Sequence, residues 1–120
     1  MNKKTLVLGA SLKANRYSNM ALRKLVNYKQ ETVAFGMKAG EESGVVIDTV
    51  LKQYEGLDTV TLYLNPTRQK AYYDYIISLK PNRVIFNPGT ENPEFYALLK
   101  EHNIAFDEAC TLVLLSTNQY

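Results

Sequence analysis

Short apolar runs alternate with segments of helical period from one end of this 120-residue chain to the other, and that alternation constrains the fold more than any single motif. Thr5–Leu8 is a continuous apolar run, as expected for a strand buried on both faces. Ser18–Lys29 has helical spacing, with Ala21, Leu22, Leu25 and Val26 in one stripe and Arg23 and Lys24 facing away. Further strands are predicted at Glu31–Phe35, Thr59–Leu64, Arg83–Asn87 and Ile104–Asp107. Pro66 starts a helix that runs to about Lys80 on a stripe of Ala71, Tyr72, Tyr75, Ile76 and Leu79, and Pro81 ends it. Asn92 and Pro93 read as an N-cap and first helical residue; that helix buries Phe95, Leu98 and Leu99 and ends near Asn103. Gly36–Gly44 reads as a loop, and Val45–Ile47 adds a few extended residues. Asp48 is placed to cap a short helix, Thr49–Tyr54, that stops at Gly56. The tail from Cys110 to Tyr120 begins apolar and packs on the body as either strand or helix.

Strands and helices joined in this order predict a three-layer α/β fold, with a mostly parallel five-stranded sheet between two helical layers. The length suits a single domain over residues 1–120. Ligands of such sheets bind beyond the carboxyl ends of the strands, where the strand order reverses. Four loops leave those ends: Gly9–Ser18, Phe35–Gly40, Asn65–Thr67 and Asn87–Asn92.

The first of these is built for an anion. A strand runs through Gly9, Ala10 and Ser11 into a helix start, whose unpaired amides attract negative charge. Arg16, just before the helix, adds a guanidinium that can fork onto a phosphate. The loop is not a full dinucleotide fingerprint, because Ser11 and Ala14 stand where further glycines are wanted. An NAD site also needs an acidic residue at the end of the second strand; here that strand ends Phe35-Gly36-Met37-Lys38. Phe35 and Met37 offer apolar surface to an adenine, and Lys38 welcomes a further phosphate. NADP or coenzyme A fits this pair of loops.

Gly9-Ala10-Ser11, Arg16-Tyr17-Ser18-Asn19, Leu64-Asn65-Pro66, Asn87-Pro88-Gly89-Thr90-Glu91-Asn92 and Glu108-Ala109-Cys110 together resemble the small CoA-binding proteins. These are single-domain relatives of the CoA-binding domain in the α subunit of succinyl-CoA synthetase. The resemblance implies a Rossmann-like fold and coenzyme A, or an acyl-CoA, as ligand. It implies that the first loop, with Gly9, Ala10, Ser11, Arg16, Tyr17, Ser18 and Asn19, holds the CoA phosphates. It implies that Phe35 and Lys38 meet the adenosine end, and that Asn65, Pro66, Pro88, Gly89, Thr90 and Glu91 line the other side. The synthetase subunit also has a second domain, whose active-site histidine is phosphorylated. The 120 residues read here include no such domain, so ligase activity is not expected to carry over.

No catalytic set is expected. His102 is the only histidine, lies near a helix end, and has no partner with which to build a metal or nucleophile site. The only cysteine, Cys110, excludes an internal disulfide and suits a reducing interior. It reads as a small buried apolar residue or, facing the pantetheine thiol, as a group able to form a mixed disulfide. A formal charge of +2 without a basic stripe argues against nucleic acid. The opening apolar run is too short for a signal peptide or a membrane span, so a cytoplasmic protein is expected. The tyrosines of Tyr72–Tyr75 read as core or as subunit contact in a homodimer, and an acyl-CoA enzyme is a further expected partner. An NADP-dependent oxidoreductase domain and a ligand-free interaction module are the alternative readings.

Overall fold

A computed structural model describes residues 2–120. Seven strands form one sheet in the order β3-β4-β2-β1-β5-β6-β7. They are β1 (Thr5–Ala10), β2 (Thr32–Gly36), β3 (Gly40–Glu42), β4 (Val45–Asp48), β5 (Thr59–Leu62), β6 (Arg83–Phe86) and β7 (Ala105–Glu108). Every pairing is parallel except β3 with β4. The helices are α1 (Tyr17–Asn27), α2 (Pro66–Gln69), α3 (Tyr73–Leu79), α4 (Pro93–Glu101) and α5 (Thr111–Ser116).

Alternation along the central strands divides the core in two. Leu6, Leu8, Val60, Leu62, Val84 and Phe86 pack with Ile76 and Leu79 of α3 and Phe95 and Leu99 of α4. Val7, Ala34 and Ile47 pack on the opposite face, with Leu22 and Leu25 of α1 and Leu115 of α5. Each buried Val, Leu, Ile or Phe among these contributes roughly 1.5–3 kcal/mol of apolar transfer free energy. Helices therefore cover both faces, and the three-layer Rossmann-like α/β architecture stands.

The sheet has seven strands, not five. The residues read as a glycine-rich loop contain β3, and Ser43-Gly44 turns it back into β4. Both turn residues have positive φ, 54° and 82°, the signature of a two-residue type I′ hairpin. The expected helix Thr49–Tyr54 is absent, and that stretch is irregular. Asp48, its supposed cap, instead accepts a hydrogen bond from the Tyr54 hydroxyl (2.5 Å) and pairs with Lys52 Nζ (2.9 Å). The expected Pro66–Lys80 helix is broken by a 3₁₀ turn at Lys70–Tyr72, which leaves Ala71 exposed and not in the buried stripe. Asn92 caps α4 as expected, accepting from Phe95 N at 3.3 Å.

The tail is helical in α5 and then returns to the amino ends of the strands. Tyr120 places its hydroxyl against Thr5 Oγ1 and its ring 4.4 Å from the Arg83 guanidinium carbon. Its backbone oxygen accepts from Lys3 Nζ at 2.6 Å. Tyr120→Ala should therefore lower stability by about 2 kcal/mol, read from urea denaturation with an unchanged slope.

Candidate functional site

The strand order reverses at β1: β2 lies on one side of it and β5 on the other. A cavity of about 750 Å³ opens there, beyond the carboxyl ends of the strands. It runs from the β2 loop (Phe35, Gly36, Met37, Lys38) to the β6 loop (Pro88, Gly89, Thr90). Those strands are three intervals apart in the sheet, which at about 4.8 Å each is roughly 14 Å. The floor is the β1–α1 segment at Gly9, Ala10, Ser11, Arg16, Tyr17 and Ser18, with Leu12 and Lys13 beside it. Tyr63, Leu64, Asn65, Arg68 and Tyr72 complete the lining.

The floor is shaped by close backbone approach. β1 bulges between Leu8 and Ala10, where Gly9 has φ +98°. Ala10 then pairs with Gly36 of β2, so near that a Cβ on Gly36 would lie 2.3 Å from Ala10 O. Past the bulge the loop is tied from below by Asn19, fully buried on α1. Its Nδ2 donates to Ser11 O (2.8 Å) and to Glu42 Oε1 of the hairpin (3.0 Å). Arg23 Nε donates to Asn19 Oδ1 (2.8 Å), and its Nη2 reaches Ala14 O (2.9 Å). The Asn19 amide holds the Glu42 carboxyl below the usual range. Arg16 is the N-cap of α1 and makes no side-chain cap bond, so the first-turn amides beside the lining residues Tyr17 and Ser18 have no capping oxygen from it.

The electrostatics are one-sided. Lys13, Arg16, Lys38 and Arg68 supply four cations to the lining, which contains no Asp or Glu. All four are exposed, and among the described residues none of their charged groups has a hydrogen-bond or ion-pair partner. The only other ionisable lining groups are the phenols of Tyr17, Tyr63 and Tyr72. Burial pushes the Tyr63 phenol well above its ordinary range. Phe35 is buried and meets the Tyr72 ring edge-on at 5.7 Å between centroids. Leu12, Tyr17 and Met37 are exposed apolar groups at the mouth.

Of the residues singled out in the sequence, Asn19, Pro66 and Glu91 stand outside the lining. Asn19 holds the loop as described, Pro66 is the first residue of α2, and the Glu91 carboxylate accepts from Gly89 N at 2.9 Å within its own turn. Thr90 lines the cavity while its hydroxyl donates to Asn87 O at 2.7 Å. Asn65 also lines it while capping α2, its Oδ1 accepting from Arg68 N at 2.9 Å. Cys110 is half-buried as the N-cap of α5, outside the lining. His102 is exposed at the end of α4. The Tyr72–Tyr75 face is engaged within the chain: Tyr73 stacks on Phe95, and the Tyr75 hydroxyl donates to Lys52 O.

Tyr63, Arg68 and Tyr72 line the cavity from outside the four expected loops, and Leu12 and Lys13 lie within the first loop without having been assigned a contact. Arg68 had a readable signal, since it lies three residues after the N-cap Asn65 and so shares the open end of that helical turn. Among the described residues no group of three or more His, Cys, Asp or Glu is arranged to hold a metal. No helix among them is long and apolar enough to cross a membrane.

A family model described as a CoA binding domain matches residues 3–116. A crystal structure of a protein described as uncharacterized superposes with a TM-score of 0.97 at 48% identity, covering 100% of this chain and 99% of that one. A structure from Thermus thermophilus gives 0.87 at 21% identity, covering 99% and 91%. A hypothetical protein from Pyrococcus horikoshii OT3 gives 0.80 at 22% identity, covering 94% and 82%. The last two are similar in fold alone. No curated protein matches the sequence.

Proposed function

The chain belongs to the CoA-binding domain family, and from that premise we propose that it holds coenzyme A or an acyl-CoA in the cavity at the β1 switch point without itself transforming it. One observation carries this reading: four unpaired cations and no carboxylate line a cavity that opens on a helix N-terminus. Coenzyme A brings a diphosphate and a ribose 3′-phosphate, about four negative charges at neutral pH. The diphosphate would lie over the α1 amides, forked by Arg16. Lys38 would take the ribose phosphate, and the adenine would lie against the exposed Met37, beside the buried Phe35. The pantetheine arm would then cross β1 and β5 toward Pro88–Thr90.

Two features support coenzyme A over NAD. The second strand carries no acidic clamp for ribose hydroxyls, and Lys38 stands three residues after Phe35 instead. The lining also lacks a carboxylate, imidazole or thiol to serve as a general base, which favours a carrier or sensor role. An acyl-CoA enzyme is the partner this reading points to, and the exposed Leu12, Tyr17 and Met37 stand at the mouth where a ligand would pass between them.

A thermal-shift panel tests the reading against its rivals. Coenzyme A at about a hundred times its dissociation constant should stabilise the protein by about 2.7 kcal/mol. That raises the melting temperature by roughly 10 °C. A shift with NADPH and none with coenzyme A would favour an oxidoreductase domain. No shift with either would favour an interaction module that has lost its ligand.

A further inference from the structure

Glutamine is seldom buried completely, yet Gln69, the last residue of α2, has no exposed surface. Its amide joins two walls of the cavity. Nε2 donates to Leu64 O and to Thr90 O, each at 2.8 Å, and Leu64 and Thr90 both line the cavity. Oε1 accepts from Asn92 Nδ2 at 2.9 Å. Asn92 Nδ2 also reaches the Tyr73 hydroxyl at 2.7 Å, and that hydroxyl meets Glu94 at 3.0 Å. Both amide protons and one carbonyl lone pair of Gln69 are thus satisfied inside the protein.

The position of this bridge gives it a role beyond satisfying buried carbonyls. The β5–β6 ladder ends at the pair Leu62 and Phe86. Past that point the chains diverge into the loops that carry Leu64 and Thr90, and Gln69 spans them. A buried hydrogen-bonded network of this kind admits one spacing and penalises others, because each broken bond leaves a buried polar group unpaired. We infer that Gln69 is a positioning residue that sets the width of the cavity on its β5–β6 side, the half toward which the pantetheine arm would run. The inference rests on the coenzyme A reading above. It adds that the two halves of the cavity are held independently: the β2–β1 half by the Asn19 network, and the β5–β6 half by Gln69.

Titration of two ligands separates the halves. Adenosine 3′,5′-bisphosphate presents the nucleotide end alone, whereas coenzyme A reaches both ends. Gln69→Met should weaken coenzyme A by about tenfold, as loss of hydrogen bonds that place a wall implies, and leave the bisphosphate affinity within about twofold of wild type. Equal losses for the two ligands, or no loss for coenzyme A in a folded variant, would overturn the inference. If Gln69→Met does not fold, Tyr73→Phe decides. It leaves Gln69 in place, removes one partner of Asn92, and should weaken coenzyme A by about threefold with the bisphosphate unchanged. Equal or absent effects there overturn the inference as well. A wild-type protein that binds neither ligand would remove the coenzyme A reading itself, a failure visible before any variant is made.

Discussion

Gly36→Ala should destabilise the protein by about 3 kcal/mol or more, and lower its melting temperature by roughly 10–15 °C. The reason is proximity, not backbone freedom. The new Cβ would lie 2.3 Å from Ala10 O and 3.2 Å from Ile47 Cγ2. The nearer atom is backbone, so no side chain can swing away to make room. Either β1 or β2 must shift at the register pair Ala10 and Gly36, just where β1 leaves its bulge. Ala10 and Gly36 both line the cavity, so the affinity for coenzyme A should fall with the stability, by at least about tenfold in the fraction that still folds. Gly44→Ala is the control. It has positive φ but open space around its Cβ position, and it lies at the tip of the β3–β4 hairpin, away from the lining. It should cost about 1 kcal/mol and leave binding unchanged. Circular dichroism melts and calorimetric titration read both effects.

Reversing charge in the cavity should have the opposite signature, with binding lost and the fold kept. Arg16→Glu combined with Lys38→Glu should weaken coenzyme A by about a thousandfold. Each charge-assisted contact is worth about 1.5–3 kcal/mol, and the new carboxylates repel the phosphates. Stability should change by less than about 0.5 kcal/mol, because both side chains are exposed and neither head group has a partner among the described residues. Lys29→Glu changes net charge by the same amount per site at the opposite end of α1, and should leave affinity close to wild type. Salt sharpens the comparison. Raising the ionic strength should weaken wild-type binding and affect the double variant far less, since screening acts on the attraction the variant lacks.

Much of this architecture was legible in the sequence. Thr5–Leu8 announced a strand buried on both faces because its apolar run is continuous, and Thr59–Leu64 announced another by setting Val60, Leu62 and Leu64 on one side and Thr59, Thr61 and Tyr63 on the other. Ala21, Leu22 and Leu25 announced α1 because a stripe of that period has no use in a strand. The hairpin did not announce itself. β3 is three residues long and carries two glutamates, so its only signal is Ser43-Gly44 at the turn. The Thr49–Tyr54 helix was expected from a cap at Asp48 and a stop at Gly56. A cap contributes about 1 kcal/mol, too little to hold a helix whose aspartate binds a tyrosine and a lysine. The four cavity loops were found because parallel α/β sheets bind ligands at their strand ends, a rule of topology. What the sequence hid was how the residues within those loops divide the work. Asn19 and Glu91 looked like ligand contacts and have internal partners, whereas Arg68 looked like an ordinary helix residue and faces the cavity.

The central claim is that the cavity recognises the charge pattern of coenzyme A. Calorimetric titration of the wild-type protein with coenzyme A and with 3′-dephospho-coenzyme A, at one ionic strength, tests it most directly. The account predicts saturable binding of one coenzyme A per chain, and a loss of about tenfold or more when the ribose phosphate is removed. Equal affinity for the two ligands, or no binding of coenzyme A at all, would contradict it.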